Sequence, residues 1–261
     1  MLQRIDHIGV AVRSIDEAAE KFKRLLGLEI SDREAVEDQQ IIAALVPTHD
    51  VRFELMQPTS TDSVVGRFLE RRGEGIHHIC FEVDDIGAEI AILKSKNVQL
   101  IQGTPRAGFV GLVEFIHPRS AAGILVEIAQ VTRRTPTATN LWLRALTIAS
   151  TDINAASDMW KRNLALVDLD SDTVTNGSVG DSNAIRLDSP NRMGTAVVEF
   201  TQPTDPQSQV GHFIETTGQG VFSVTLSGLN VEMRQQGKQL TNVKMIHPDQ
   251  LMGVRIALEQ S

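Results

Sequence analysis

Cysteine is almost absent from this chain, Cys80 being the only one. A lone thiol excludes an internal disulfide, and a reducing cytosol is the natural setting for such a protein. Long apolar runs are also missing: the longest are strand-sized, too short to span a bilayer as a helix. The opening Met-Leu-Gln-Arg-Ile-Asp-His lacks the apolar stretch of a secretory signal, so a cytoplasmic location is expected. Basic residues are outnumbered, with 25 Lys and Arg against 33 Asp and Glu and a net charge of −8. No basic face offsets that charge, which argues against nucleic acid as a partner. A small anionic molecule stays compatible, because the charge of a pocket can oppose the global sign. What remains is an ordinary globular mixture, 41% hydrophobic and 22% charged over 261 residues, enough for two domains.

The chain contains itself twice. Ser14-Ile-Asp-Glu-Ala-Ala-Glu-Lys-Phe-Lys-Arg-Leu-Leu-Gly-Leu28 matches Asp152-Ile-Asn-Ala-Ala-Ser-Asp-Met-Trp-Lys-Arg-Asn-Leu-Ala-Leu166. Phe53-Glu-Leu-Met-Gln-Pro58 matches Val198-Glu-Phe-Thr-Gln-Pro203, and Phe115-Ile-His-Pro118 matches Met245-Ile-His-Pro248. The matches fall in one order, which defines a first domain over 1–131, a polar linker over 132–140 and a second domain over 141–261.

Each copy contains a smaller repeat. His7-Ile-Gly-Val-Ala-Val12 alternates as a strand, Ser14 caps a helix whose apolar stripe includes Ile15, Ala18 and Phe22, and Gly27 ends it. His78-Ile-Cys-Phe-Glu-Val83 is a second strand, followed by a helix started by Asp84 or Asp85 and stopped at Asn97. Strands are expected at 40–46 and 51–57 in the first unit and at 110–116 and 123–130 in the second. Strand, helix and further strands, used twice per domain, make an α+β fold with curved mixed sheets and helices on the outer face.

Alternation along these strands isolates four polar residues. Ile8, Val10 and Val12 share a helix-packing face, and His7 lies opposite beside the small Gly9 and Ala11. His77, Ile79, Phe81 and Val83 share another such face, opposite His78, Cys80 and Glu82. Glu54 opposes Val51, Phe53 and Leu55, and Glu127 opposes Ile124, Val126 and Ile128. The separations match: 54 − 7 = 47 residues from His7 to Glu54, and 127 − 78 = 49 from His78 to Glu127. If the units pair about a pseudo-twofold axis, His7, Glu54, His78 and Glu127 converge. Two imidazoles and two carboxylates suit one divalent ion (Zn, Co, Ni, Mn or Fe(II)), with positions left for substrate oxygens. In the second copy these positions fall on Ala145, Glu199, Ser223 and Ala257, and one carboxylate cannot hold a transition metal. The His-Pro pair persists in both copies, so His117 and His247 are assigned to turns.

These residues resemble the vicinal-oxygen-chelate (glyoxalase/bleomycin resistance/dioxygenase) superfamily, and within it the methylmalonyl-CoA epimerase branch. The resemblance rests on Ile5-Asp-His-Ile-Gly-Val-Ala-Val12, Glu54-Leu-Met-Gln-Pro58, Gly73-Glu-Gly-Ile-His-His-Ile79, Val83-Asp-Asp-Ile86, and His117-Pro-Arg-Ser120 leading into Gly123-Ile-Leu-Val-Glu127. It covers nearly all of 1–130 and reaches the second copy only weakly. It implies the same four metal ligands, an acyl-CoA substrate, and a proton transfer at the carbon between a thioester and a carboxylate, with Glu127 as the catalytic residue for one proton. It also implies a second base on the strand after the first helix, where Gln40-Ile41-Ile42 offers no ionisable group. The family's glycine-rich loop is altered here, to Arg106-Ala-Gly-Phe-Val-Gly111.

Three functions follow: a metal-dependent epimerase, a lactoylglutathione lyase of the glyoxalase I type, and a bleomycin-resistance-type binding protein. An extradiol dioxygenase would want two histidines and one carboxylate, and Glu54 as a fourth ligand counts against it. Homodimer formation stays open, since a tandem chain can satisfy the same contact within itself. Among the rest, Cys80, Trp142 and Trp160 are expected in the core. Arg71, Arg72, Lys94, Lys96, Arg106 and Arg119 are available to CoA phosphates or simply solvated. Ala145, Thr147, Ser223 and Thr225, small residues on the inner side of the second copy, are expected to pack tightly.

Overall fold

The structure, a computed structural model, describes residues 2–134, 139–169, 182–188, 196–228 and 243–260. The first half runs β1 (Leu2–Ala11), α1 (Ile15–Leu26), β2 (Asp32–Val36), β3 (Ile41–Pro47), β4 (Arg52–Pro58), α2 (Val64–Arg72), β5 (Gly75–Val83), α3 (Ile86–Ser95), β6 (Arg106–Ala107), β7 (Gly111–Ile116) and β8 (Val126–Val131). Its eight strands form one mixed sheet ordered β2-β3-β4-β1-β5-β8-β7-β6. That order is mirrored about the antiparallel β1–β5 seam, as two βαβββ units related by a pseudo-twofold axis require.

The second half runs β9 (Leu141–Ala149), α4 (Ile153–Leu164), β10 (Val167–Asp168), β11 (Ser182–Asp188), β12 (Val197–Pro203), α5 (Gln209–Thr217), β13 (Gly220–Gly228), β14 (Val243–Ile246) and β15 (Ile256–Gln260). Its sheet, β10-β11-β12-β9-β13-β15-β14, repeats the order of the first. The fold is α+β with tandem curved mixed sheets. No helix among the described residues is long and apolar enough to cross a membrane. Residues 135–138 of the expected linker lie outside the described residues.

Local chemistry explains the helix ends. Ser14 Oγ accepts from Glu17 N–H at 3.3 Å, and Gly27, at φ 68°, turns the chain out of α1 with its N–H on Lys23 O. Asp85, rather than Asp84, caps α3, accepting from Ala88 N–H at 2.9 Å. The helices α2 and α5 are absent from the sequence-based expectation. Both follow Gln-Pro by the same distance, are capped by Ser63 and Ser208, and carry Gly66 and Gly211 where a Cβ would strike backbone carbonyls. That shared Ser-x-x-Gly is the signal that was available. Unlike α1, α3 and α4, α2 packs on the inner side of its sheet, where Val65 and Leu69 join Met56, Cys80 and Phe109, and α5 does the same in the second half, where Val210 joins Ala149 and Phe222.

The outer faces of both sheets and helices α1, α3 and α4 share one core, in which Trp160 reaches Phe81 of the first half and Phe200 of the second. The halves touch reciprocally. Lys21 Nζ of α1 meets Met252 Sδ at 3.6 Å, and Met159 Sδ, at the matching place on α4, accepts from Ala122 N–H at 3.2 Å. Trp142 departs from expectation: it is 36% exposed and stacks on His49, because β9 presents it outward beside the 47–50 turn.

Candidate metal centre and cleft

Four strands deliver four side chains to one point. Cross-strand partners are Gly9 with Glu54 (β1–β4), Gly9 with His78 (β1–β5) and Cys80 with Glu127 (β5–β8), so His7, Glu54, His78 and Glu127 all project from the inner face. One ligand atom from each lies within 4.8 Å of every other, and all four residues are buried. His7 Nε2 is 3.1 Å from His78 Nε2 and 3.2 Å from both Glu54 Oε2 and Glu127 Oε2. His78 Nε2 is 2.9 Å from Glu127 Oε2 and 3.4 Å from Glu54 Oε2.

The electrostatics suit a divalent ion. Burial opposes charge on all four groups, yet each stabilises its neighbours' charge. Glu54 is held well below the usual carboxylate range by His7 and His78, Glu127 is lowered by the same pair, and both histidines are raised. Two imidazolium protons exchanged for one divalent cation leave the net charge of the cluster unchanged, and the N₂O₂ donor set matches a borderline transition ion. Behind His7, Asp6 Oδ2 sits 2.8 Å from Nδ1 and pairs with Arg52, so the ring is turned with Nε2 into the cluster. The hydrogen bond to His7 and the Arg52 guanidinium overcome burial and hold Asp6 down to about 2. Cys80 is a poor ligand, since burial pushes its thiol far up and keeps it protonated.

Strict alternation misplaces His77. The β1–β5 ladder steps from Gly9–His78 to Val10–Ile76, and this bulge at His77 turns it to the inner face beside His78. His77 Nδ1 lies 3.1 Å from His78 Nδ1, its ring packs on Phe68, and burial with the neighbouring His78 charge lowers it to about 3, so it is neutral. The second half bulges at the same step, with Phe222 in place of His77. In the stretch where the resemblance implies a second base, Ile42 packs toward the helices, and the inner positions of β3 are Ile41, Ala43 and Leu45, none ionisable.

A cavity of about 410 Å³ opens beside the cluster. Ile101, Phe109 and Phe115 give it apolar walls, while Arg67 and Arg106 add positive charge. Of the basic residues singled out from sequence, only Arg106 lines this cavity; Arg67 was missed, for want of α2. Lys96 instead donates to Asn163 O at 3.5 Å, joining the halves. His117 does serve a turn: its Nδ1 accepts from Arg119 N–H at 3.1 Å.

Ladder positions equate His7, Glu54, His78 and Glu127 with Ala145, Glu199, Ser223 and Ala257. Glu199 there accepts from Arg186 Nε at 2.6 Å, and no metal-ligand cluster occurs among the described residues of that half.

The family model described as the glyoxalase/bleomycin resistance protein/dioxygenase superfamily matches residues 6–116. An uncharacterized Bacillus subtilis protein, YqjC, is 39% identical over 130 residues, covering 49% of this chain and 93% of that protein. The ethylmalonyl-CoA/methylmalonyl-CoA epimerase of Cereibacter sphaeroides is 34% identical over 134 residues, covering 50% of this chain and 100% of the enzyme. Among solved structures, Streptomyces coelicolor methylmalonyl-CoA epimerase with bound 2-nitronate-propionyl-CoA is 33% identical over 52% of this chain and all of that one, with a TM-score of 0.49. The chain belongs to the glyoxalase/bleomycin resistance protein/dioxygenase superfamily.

Proposed function

We propose that this chain is a divalent-metal-dependent epimerase that moves a proton at the carbon next to the thioester carbonyl of a branched malonyl-type acyl-CoA. The observation that carries this reading is the convergence of His7, Glu54, His78 and Glu127 at the base of one cleft, in a half of the chain that is a third identical to an enzyme named for that chemistry. A metal there supplies Lewis-acid stabilisation of the negative charge that develops on the carbonyl oxygen. His7 and His78 supply neutral donors on rigid strands, and Asp6 fixes the His7 tautomer. Glu127 is the carboxylate assigned to take and return one proton. Phe109 and Phe115 exclude water from the reacting carbon, and Arg67 and Arg106 attract the CoA phosphates. The strand β3 contributes no second base, so the partner for the opposite face lies elsewhere in the cleft.

Residues 1–131 form the catalytic domain in this reading, and 141–261 a companion that pairs with it as a second chain would in a dimer. The reciprocal contacts of α1 and α4 support that role.

Two measurements test the proposal together. Metal analysis should find about one divalent ion per chain, and His78→Ala should remove it. In deuterium oxide, methylmalonyl-CoA should acquire solvent deuterium at its branched carbon. Absence of exchange, with turnover of a glutathione hemithioacetal, reassigns the protein as a lyase; saturable binding with neither reaction makes it a binding protein.

A further inference from the structure

The inner face of the second sheet has lost its metal cluster but not its polarity. Thr147, Ser223 and Thr225 occupy the places of Gly9, His78 and Cys80, and Thr201 that of Met56. Ladder pairing sets Ser223 beside Thr147 and Thr147 beside Glu199. These four hydroxyl residues are 0–3% exposed, and none of their oxygens has a hydrogen-bond partner. A fifth buried and partnerless atom is Nε of Arg255. Arg255 follows from the β13–β15 register as the counterpart of Leu125, which lines the first cleft. Its guanidinium lies 4.5 Å from the Phe222 ring centroid, and Nη1 donates to Gln209 Oε1 at 2.8 Å.

Tight packing explains small residues but not hydroxyls. Valine and alanine fill the same space, and a buried polar atom left unpaired costs about 1–3 kcal/mol. Five such atoms on one face point to a group that satisfies them. A metal does not, since among the described residues Glu199 is the only carboxylate at the four positions matching the first cluster, and it is already paired with Arg186. That pair cancels internally, so among the described residues beside these hydroxyls the uncompensated charge belongs to Arg255, and the face is rich in donors and locally cationic within a chain of net charge −8.

We propose that the inner face of the second sheet binds a small oxygen-rich anion without a metal. Arg255 receives its carboxylate or phosphate group, and the hydroxyls of Thr147, Ser223 and Thr225 receive its remaining oxygens. This site does not depend on the reaction assigned to the first cleft.

Titration calorimetry on the full chain carrying His78→Ala, with malonate and separately with inorganic phosphate, tests it. One saturable event should persist in that background. It should weaken at least about tenfold in Arg255→Gln or Thr225→Val, the loss of one charge-assisted or buried hydrogen bond. Tighter malonate binding identifies a carboxylate ligand, and tighter phosphate binding a phosphate ester. Saturation by neither probe overturns the proposal, as does binding that Arg255→Gln and Thr225→Val leave unchanged. Thr147→Val with Ser223→Ala provides a control on folding: a higher melting temperature with undiminished binding would show that the hydroxyls only fill space.

Discussion

The imidazole of His78 lies against the Cα of Gly9, its partner across the β1–β5 seam, where a Cβ would clash with three atoms of the ring, Cε1, Nδ1 and Nε2. The metal cluster therefore depends on a side chain that is missing as much as on the four present. In the second half the same pair is Thr147 and Ser223, a larger residue opposite a smaller one.

Gly9→Ala should accordingly displace His78 while leaving both sheets intact. Overpacking of this kind costs about 1–3 kcal/mol, and metal affinity should fall at least as far as after loss of a supporting residue, about 10–100-fold. Circular dichroism with metal titration checks it; unchanged affinity would mean that the ring relocates without cost.

Asp6→Asn should weaken metal binding by about 10–100-fold through loss of the carboxylate that orients His7. It should also destabilise the metal-free chain by about 3–5 kcal/mol, because Arg52 is left buried beside a neutral group. Arg52→Met in the Asp6→Asn background should recover part of that stability without recovering affinity, a split that denaturant melts and calorimetry can read.

Glu82 gives a pH dependence away from the metal ligands. Burial raises its carboxyl, but hydrogen bonds from Arg134 and Arg4 hold it below the ordinary range. A depressed carboxylate contributes stability above its unfolded pKa and loses it as pH falls through the lower folded value. Denaturant stability should drop on that acid limb, and Glu82→Gln should flatten the drop while costing about 1–2 kcal/mol at neutral pH.

Trp160→Ala should destabilise by about 3–5 kcal/mol. Because Trp160 touches Phe81 and Phe200, both halves should melt in one lowered transition. Two separate transitions in the parent chain would show the shared core to be energetically weak.

The repeat, the strand and helix types and the four converging residues were legible because each rests on local periodicity. Alternation sets each of His7, Glu54, His78 and Glu127 opposite the helix-packing side of its own strand, and matched spacing pairs the units. Two features escaped for the same physical reason. A single extra residue in β5 reverses the alternation at His77, and only the ladder with β1 reveals it. The side that β3 turns inward depends on pairing with β4, which gives Ala43 to the inner face and Ile42 to the helix layer.

Sequence by itself determined the strand sides of His7, Glu54, His78 and Glu127, where helix α1 begins and ends, and that the second copy lacks three of the four polar groups. Tertiary structure alone decided that Asp6 and Arg52 stand behind His7, that α2 carries Arg67 into the cleft, and that Gly9 makes room for His78. Periodicity is encoded between neighbours along the chain. Contacts across 46 or 71 residues, such as Arg52 with Asp6 and His7 with His78, exist only once the strands have paired.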